Sequence, residues 1–226
     1  MTEHLKSKLD SLPDRQALGD PQNIERVKSF MSSSSNESKP PDILLPNESD
    51  SLMAQAFSSS HRDFTMIYLT LLTGLRNTEV IKLMVFCVKP YGEIANEVQV
   101  PALIAKGGRA RNIPLHPDLK IALENFFNWK LAHDEPCELD SPLFCSKRSK
   151  KPLSQRDFQR IVQLHAKSSI NRSVHPHVLR HTFATRLLAK SNLSIVQQML
   201  GHKSIQTTQI YLHPTRDDFS KAIEKM

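Results

Sequence analysis

The chain has 226 residues and a mass of 25.7 kDa, room for one large domain of the usual ~150 residues plus an appendage. Its 30 basic against 23 acidic side chains leave a formal charge of +7, which favours an anionic partner and leaves DNA, RNA and membrane surface open. Met66 to Leu75, the longest nearly apolar stretch, is far short of the ~18 residues of a spanning helix; Glu3, Lys6, Lys8 and Asp10 stand where a secretory apolar core would be; and three cysteines without a Cys-x-x-Cys pair indicate neither a disulfide framework nor a thiolate metal site. The expectation is a soluble, intracellular protein with no membrane partner.

Residues 1 to 60 hold 6 basic and 9 acidic groups, so the surplus of positive charge belongs to residues 61 to 226. The serine run from Ser32 to Ser35, followed by Pro40, Pro41 and Pro46, is too poor in apolar residues to order itself. Residues 1–45 are therefore read as an acidic, Ser/Pro-rich, partly disordered tail, with a short helix near Asn23 to Phe30. A period of three and four then appears in Leu52 and Ala56, and in Phe64, Ile67, Tyr68, Leu71, Leu72 and Leu75, predicting two helices, the second well buried. A short helix from Asn77 to Leu83 follows, with Asn77 or Thr78 as cap and Glu79 in its first turn.

Glu93–Pro101, Ala102–Lys106 and Arg111–Leu115 are rich in Val, Ile and Leu and are broken by Gly107 and Gly108; they read as three strands of a small antiparallel sheet. Pro117 and Asp118 open a long amphipathic helix through Leu119, Leu123, Phe126, Phe127 and Lys130. Further helices fit Ser154–Ser168, Pro176–Lys190, Ser194–Leu200, Ser204–Leu212 and Arg216–Lys225. The fold class is mainly α with a small antiparallel β-sheet (α+β).

Of only six glycines, Gly74, Gly107, Gly108 and Gly201 each lie within two residues of an Arg, Lys or His, as turns do that aim polar side chains at a common point. The surrounding strings are Thr73-Gly-Leu-Arg-Asn-Thr-Glu79, Ala105-Lys-Gly-Gly-Arg-Ala-Arg-Asn-Ile-Pro-Leu115, His177-Val-Leu-Arg-His181 and Leu200-Gly-His-Lys-Ser-Ile-Gln-Thr-Thr-Gln-Ile-Tyr211. Four such strings in this order resemble the tyrosine recombinase, or phage integrase, family, over roughly residues 46–226. The resemblance implies that family's catalytic-domain fold and six catalytic positions. Arg76 and Arg180 are its active-site arginines, Lys106 the lysine of the sheet turn, His177 and His202 its histidines, and Tyr211 the nucleophile. Glu79 and His181 are read as supporting residues, and Arg109, Arg111 and Lys203 as DNA contacts.

These residue types suit transfer at a phosphodiester. Planar guanidinium forks can donate in pairs to the non-bridging oxygens of a pentacoordinate transition state, replacing the metal pair of many nucleases, so neither a metal nor another cofactor is expected. Tyrosine is a weak nucleophile at its free pKa of ~10, so something must accept its proton or stabilise the phenolate, and His177 and the cationic site are the candidates; Lys106 on a glycine turn is the candidate general acid for the departing 5′-oxygen. His177 and Arg180 are i and i+3, hence on one face of a helix opened by Pro176.

Family members usually carry a helical core-binding domain ahead of the catalytic one. The short, acidic segment here points to a minimal form without it or to a fragment of a longer protein, and the Met1 start favours the former. The implied partners are double-stranded DNA, further copies of the chain as dimers or tetramers on paired sites, and an optional accessory DNA-bending protein. The implied location is the cytoplasm, on the nucleoid in a bacterium. Two rivals stay open at the level of sequence: a DNA-binding accessory or regulatory protein that keeps the fold, and a type IB topoisomerase-like enzyme.

Overall fold

The computed structural model describes residues 42–146 and 149–201. Most of the expected tail, the helix near Asn23–Phe30 and the two helices expected after Ser204 lie outside them. Seven α-helices and one two-stranded sheet make up the described part, which is the expected mainly helical class.

Helix α1 (Pro46–Ser59) starts with Pro46 in its first turn, where a missing N–H costs nothing, and Glu48 accepts the Leu45 N–H at 2.8 Å. Helix α2 (His61–Thr73) is capped by Ser60, whose hydroxyl accepts the Asp63 N–H, and it stops at Gly74 in the left-handed conformation with φ 64°. Met66, Ile67, Leu69 and Leu75 are fully buried, because α2 packs against α1, α4, α5 and α6 at the centre of the domain. The chain before α1 is already part of this core. Leu44 is buried, and its N–H donates to the Thr182 hydroxyl at 2.9 Å.

Helix α3 (Asn77–Val80) has Arg76 in its N-cap position and is shorter than the spacing suggested. After a single 3-10 turn at Val85–Cys87, strands β1 (Glu97–Val100) and β2 (Arg111–Pro114) pair antiparallel, Val98 opposite Ile113 and Val100 opposite Arg111. The third expected strand is absent: Ile104 and Ala105 both donate to the Pro101 carbonyl at 3.1 Å, so residues 102–106 curl into turns. Val, Ile and Leu content promotes a strand only where a neighbouring strand can take its hydrogen bonds, and none lies alongside here.

Helix α4 (Pro117–Ala132) buries Leu119, Leu123, Phe126 and Phe127, together with Lys130, whose ammonium donates to the Leu143 carbonyl at 3.2 Å. Helix α5 (Gln155–Ile170) begins at a Ser154–Asp157 capping box and is tied to α2 by a buried contact of His165 Nε2 with Asp63 Oδ2 at 3.2 Å. Helices α6 (Pro176–Leu188) and α7 (Leu193–Leu200) pack together through Phe183, Ala184, Val196 and Leu200, and α7 also touches β2. No described helix is long and apolar enough to cross a membrane.

Candidate active site

Three parts of the chain deliver arginines to one place. Arg76 leaves the turn after Gly74, Arg111 stands at the start of β2, and Arg180 projects from the second turn of α6. All three meet the C-terminal end of α7. Arg111 Nε donates to the Met199 carbonyl at 2.9 Å, Arg180 Nη2 to the Leu200 carbonyl at 2.9 Å, and Arg76 Nη2 to the Gly201 carbonyl at 3.4 Å. A helix end leaves its last carbonyls unpaired and carries the negative pole of the helix dipole, so it is a natural seat for guanidinium groups. Gly201, with φ 64°, turns the chain there and sends it on toward His202.

Among the described residues, Glu79 is the anion of this cluster. Glu79 is fully buried and accepts the Arg111 fork at 3.0 and 2.8 Å, the Arg76 N–H at 2.9 Å and Arg76 Nη1 at 3.2 Å. Burial by itself would raise its carboxyl, but the Arg111 hydrogen bonds and charge, with Arg76 added, hold it below the usual 4.5. Arg180 is itself buried, and its Nη1 donates in a short hydrogen bond to the Gly74 carbonyl, linking α6 to the end of α2. Among the described residues, three guanidinium groups thus surround one carboxylate.

One turn before Arg180 on α6, His177 adjoins this charge. Loss of hydration lowers its imidazole below the ordinary 6.5, and the positive charges of Arg180, Arg76, Lys106 and His175 push in the same direction. The neutral ring, which can accept a proton, is therefore favoured. His181, one further turn along, has its ring centroid 6.4 Å from that of His177 and is lowered by burial, then by His177 and Arg180.

Lys106 stands exposed on the β1–β2 connection beside Gly107 and Gly108, whose φ of 91° and 70° make the turn. Arg109 is exposed and lines an open cleft of about 770 Å³ between β2 and α7. Of the residues singled out from the sequence, Arg76 and Arg180 meet at the end of α7 and Glu79 holds Arg76, while His177 and His181 lie on α6 one turn before Arg180 and directly after it. Arg111 joins them through its guanidinium, an arrangement signalled by its spacing, since a residue two before buried Ile113 on a strand shares its inward face. His202, Lys203 and Tyr211 lie outside the described residues. Among the described residues, no three His, Cys, Asp or Glu side chains come together as metal ligands.

Among the described residues, arginines from three elements converge on the end of one helix in a mainly helical domain. The sequence matches the phage integrase family over residues 25–217, and the chain belongs to that family. It is 33% identical over 187 residues to a tyrosine recombinase of Pseudothermotoga lettingae, a match covering 82% of this chain and 61% of that protein. The crystal structure of XerA recombinase superimposes with a TM-score of 0.67 at 26% identity, covering 85% of this chain and 65% of that one. The catalytic domain of bacteriophage HP1 integrase shares the fold, with a TM-score of 0.56 at 22% identity over 81% of this chain and 94% of that domain. The chain spans about three fifths of the length of the curated relatives it matches.

Proposed function

We propose that this chain is a site-specific DNA strand transferase of the tyrosine recombinase kind, acting on double-stranded DNA in the cytoplasm as a homo-oligomer on paired sites. The observation that carries the reading is the meeting of Arg76 and Arg180 at the Leu200–Gly201 turn, after which the sequence continues to His202 and Tyr211, with His177 one turn before Arg180 on the same helix. Arg76 and Arg180 hold the non-bridging oxygens of one phosphodiester and stabilise the charge that grows on them. The Tyr211 oxygen attacks the phosphorus as His177 takes its proton; a 3′-phosphotyrosyl bond forms and the bond to the 5′-oxygen breaks. Lys106 gives that oxygen its proton, and His202 donates to the same phosphate. Attack by a 5′-hydroxyl reverses each step, so the ester is exchanged without hydrolysis and no energy source is consumed.

The test is incubation with nicked suicide duplexes drawn from a random-sequence pool. Wild-type protein is expected to become covalently joined to DNA and Tyr211→Phe to give no adduct; an adduct with Tyr211→Phe, or none with folded, DNA-bound wild type, rejects the proposal.

Proton transfer through His177 has a pH signature. The base form dominates above its pKa, and because that pKa is depressed, activity persists below pH 6.5 before it falls. The acid-side midpoint of kcat/KM is therefore expected below 6.5, with the limb lost in His177→Gln along with about 10²- to 10⁴-fold in rate. A midpoint above 6.5 in wild type, or an unchanged limb in the variant, contradicts the role.

A further inference from the structure

We infer that Arg111 is a positioning residue for strand cleavage, setting Arg76 through Glu79 and fixing the end of α7 from which the chain continues to His202. The inference rests on the proposed strand-transfer reaction and concerns a side chain whose position in a basic, glycine-rich turn would otherwise assign it to the DNA backbone.

Four observations support it. Strand pairing places Arg111 opposite buried Val100 and on the same face as buried Ile113, so its stem runs inward. Its guanidinium is used in two directions at once, the fork on Glu79 at 3.0 and 2.8 Å and Nε on the Met199 carbonyl at 2.9 Å. Its side chain is only 9% exposed and the Glu79 side chain not at all, so a phosphate could claim this fork only by displacing a buried carboxylate. Gly201 completes the enclosure: a β-carbon there would lie 3.3 Å from both Cδ and Nη1 of Arg111, so the turn after α7 closes directly over the arginine.

The connection to the reaction runs through shared partners. Glu79 accepts both the backbone N–H and the guanidinium of Arg76, and Arg76 in turn reaches the Gly201 carbonyl, while Arg111 holds Met199 two residues earlier. Removing Arg111 takes from Glu79 its strongest pair of hydrogen bonds. The carboxylate then draws on Arg76 alone, and the Met199 carbonyl loses its side-chain donor. The arginine aimed at the phosphate and the turn leading to His202 shift together. A displacement of about 1 Å at such a site costs on the order of 10²-fold in rate.

The experiment compares wild type, Arg111→Met, Arg111→Lys, Glu79→Gln and the Arg111→Met/Glu79→Gln double variant. Each is assayed for adduct formation and equilibrium binding on the nicked duplex that wild type cleaves, well below its thermal midpoint. Arg111→Met is expected to lower the adduct rate about 10²-fold while DNA affinity and its salt dependence stay at wild-type values. Arg111→Lys, which keeps the charge and not the fork, is expected to recover part of the rate. The double variant is expected to be no slower than the slower single one, because both changes break one connection.

If the variants instead bind DNA more weakly with a salt slope reduced by about one, Arg111 is a phosphate contact and the inference is wrong. A folded Arg111→Met or Arg111→Lys protein that cleaves at the wild-type rate also overturns it, as does a double variant whose loss is the product of the single losses. An absent adduct with wild type is a different result: it rejects the strand-transfer reading itself.

Discussion

Arg180→Ala is expected to reduce covalent adduct formation by about 10²- to 10³-fold, the usual effect of removing one donor aimed at developing charge. It is also expected to lower stability, because this guanidinium does two things. It is buried, and it donates to the Gly74 carbonyl at the end of α2 and to the Leu200 carbonyl at the end of α7. Truncation leaves these carbonyls without that donor inside the protein, at about 1–3 kcal/mol for each that water cannot reach. Arg180→Lys separates the two roles. A lysine keeps the charge and can serve one carbonyl, so its melting temperature should lie between wild type and alanine, whereas cleavage, which needs a planar fork, should stay near the alanine level. Thermal melts and single-turnover adduct assays check this pair; a lysine variant with wild-type cleavage would show that charge without the fork suffices.

Gly74→Ala is expected to cost on the order of 2–5 kcal/mol and to impair cleavage in the protein that still folds. The backbone at this position has φ 64°, a conformation that costs a residue with a β-carbon about 1–2 kcal/mol. The added carbon would also fall 2.3 Å from Phe183 Cδ1 and 3.0 Å from Leu200 Cδ2, so something must move, at about 1–3 kcal/mol more. Phe183 is three residues after Arg180 on α6, and the Leu200 carbonyl is an Arg180 acceptor. Relief of the clash therefore shifts the elements that aim this arginine. Urea midpoints measure the stability loss and the adduct assay the functional one; a variant with wild-type values in both would mean that Gly74 is interchangeable with alanine.

Helix α2 was legible in the sequence because Phe64, Ile67, Leu71 and Leu75 repeat at three and four, and its stop was legible because glycine alone adopts the Gly74 conformation without strain. His177 and Arg180 could be placed together because they are i and i+3 on one helix face, whereas joining them to Arg76 and Glu79 rested on the family resemblance and not on spacing. The arrangement at the end of α7 could not be read in this way. The acceptors of the three arginines are the backbone carbonyls of Met199, Leu200 and Gly201, and main-chain groups leave no mark in side-chain patterns. The partner of Arg111 was equally hidden. Its inward face follows from the strand period, but its pairing with Glu79, 32 residues earlier, depends on how α3 and β2 pack. The expected strand at Ala102–Lys106 failed for a related reason: apolar, β-branched content cannot reveal whether a partner strand exists.

The central claim is that this cluster serves a covalent step at Tyr211, and the most direct measurement is to locate the bond. Wild-type protein trapped on a nicked duplex, with excess chelator present, would be digested with nuclease and protease and its peptides sequenced by mass spectrometry. A single modified peptide is expected, with the nucleotide joined through its 3′-phosphate to Tyr211. A nucleotide on any other residue, or no modified peptide from protein shown to be folded and bound to DNA, would contradict it.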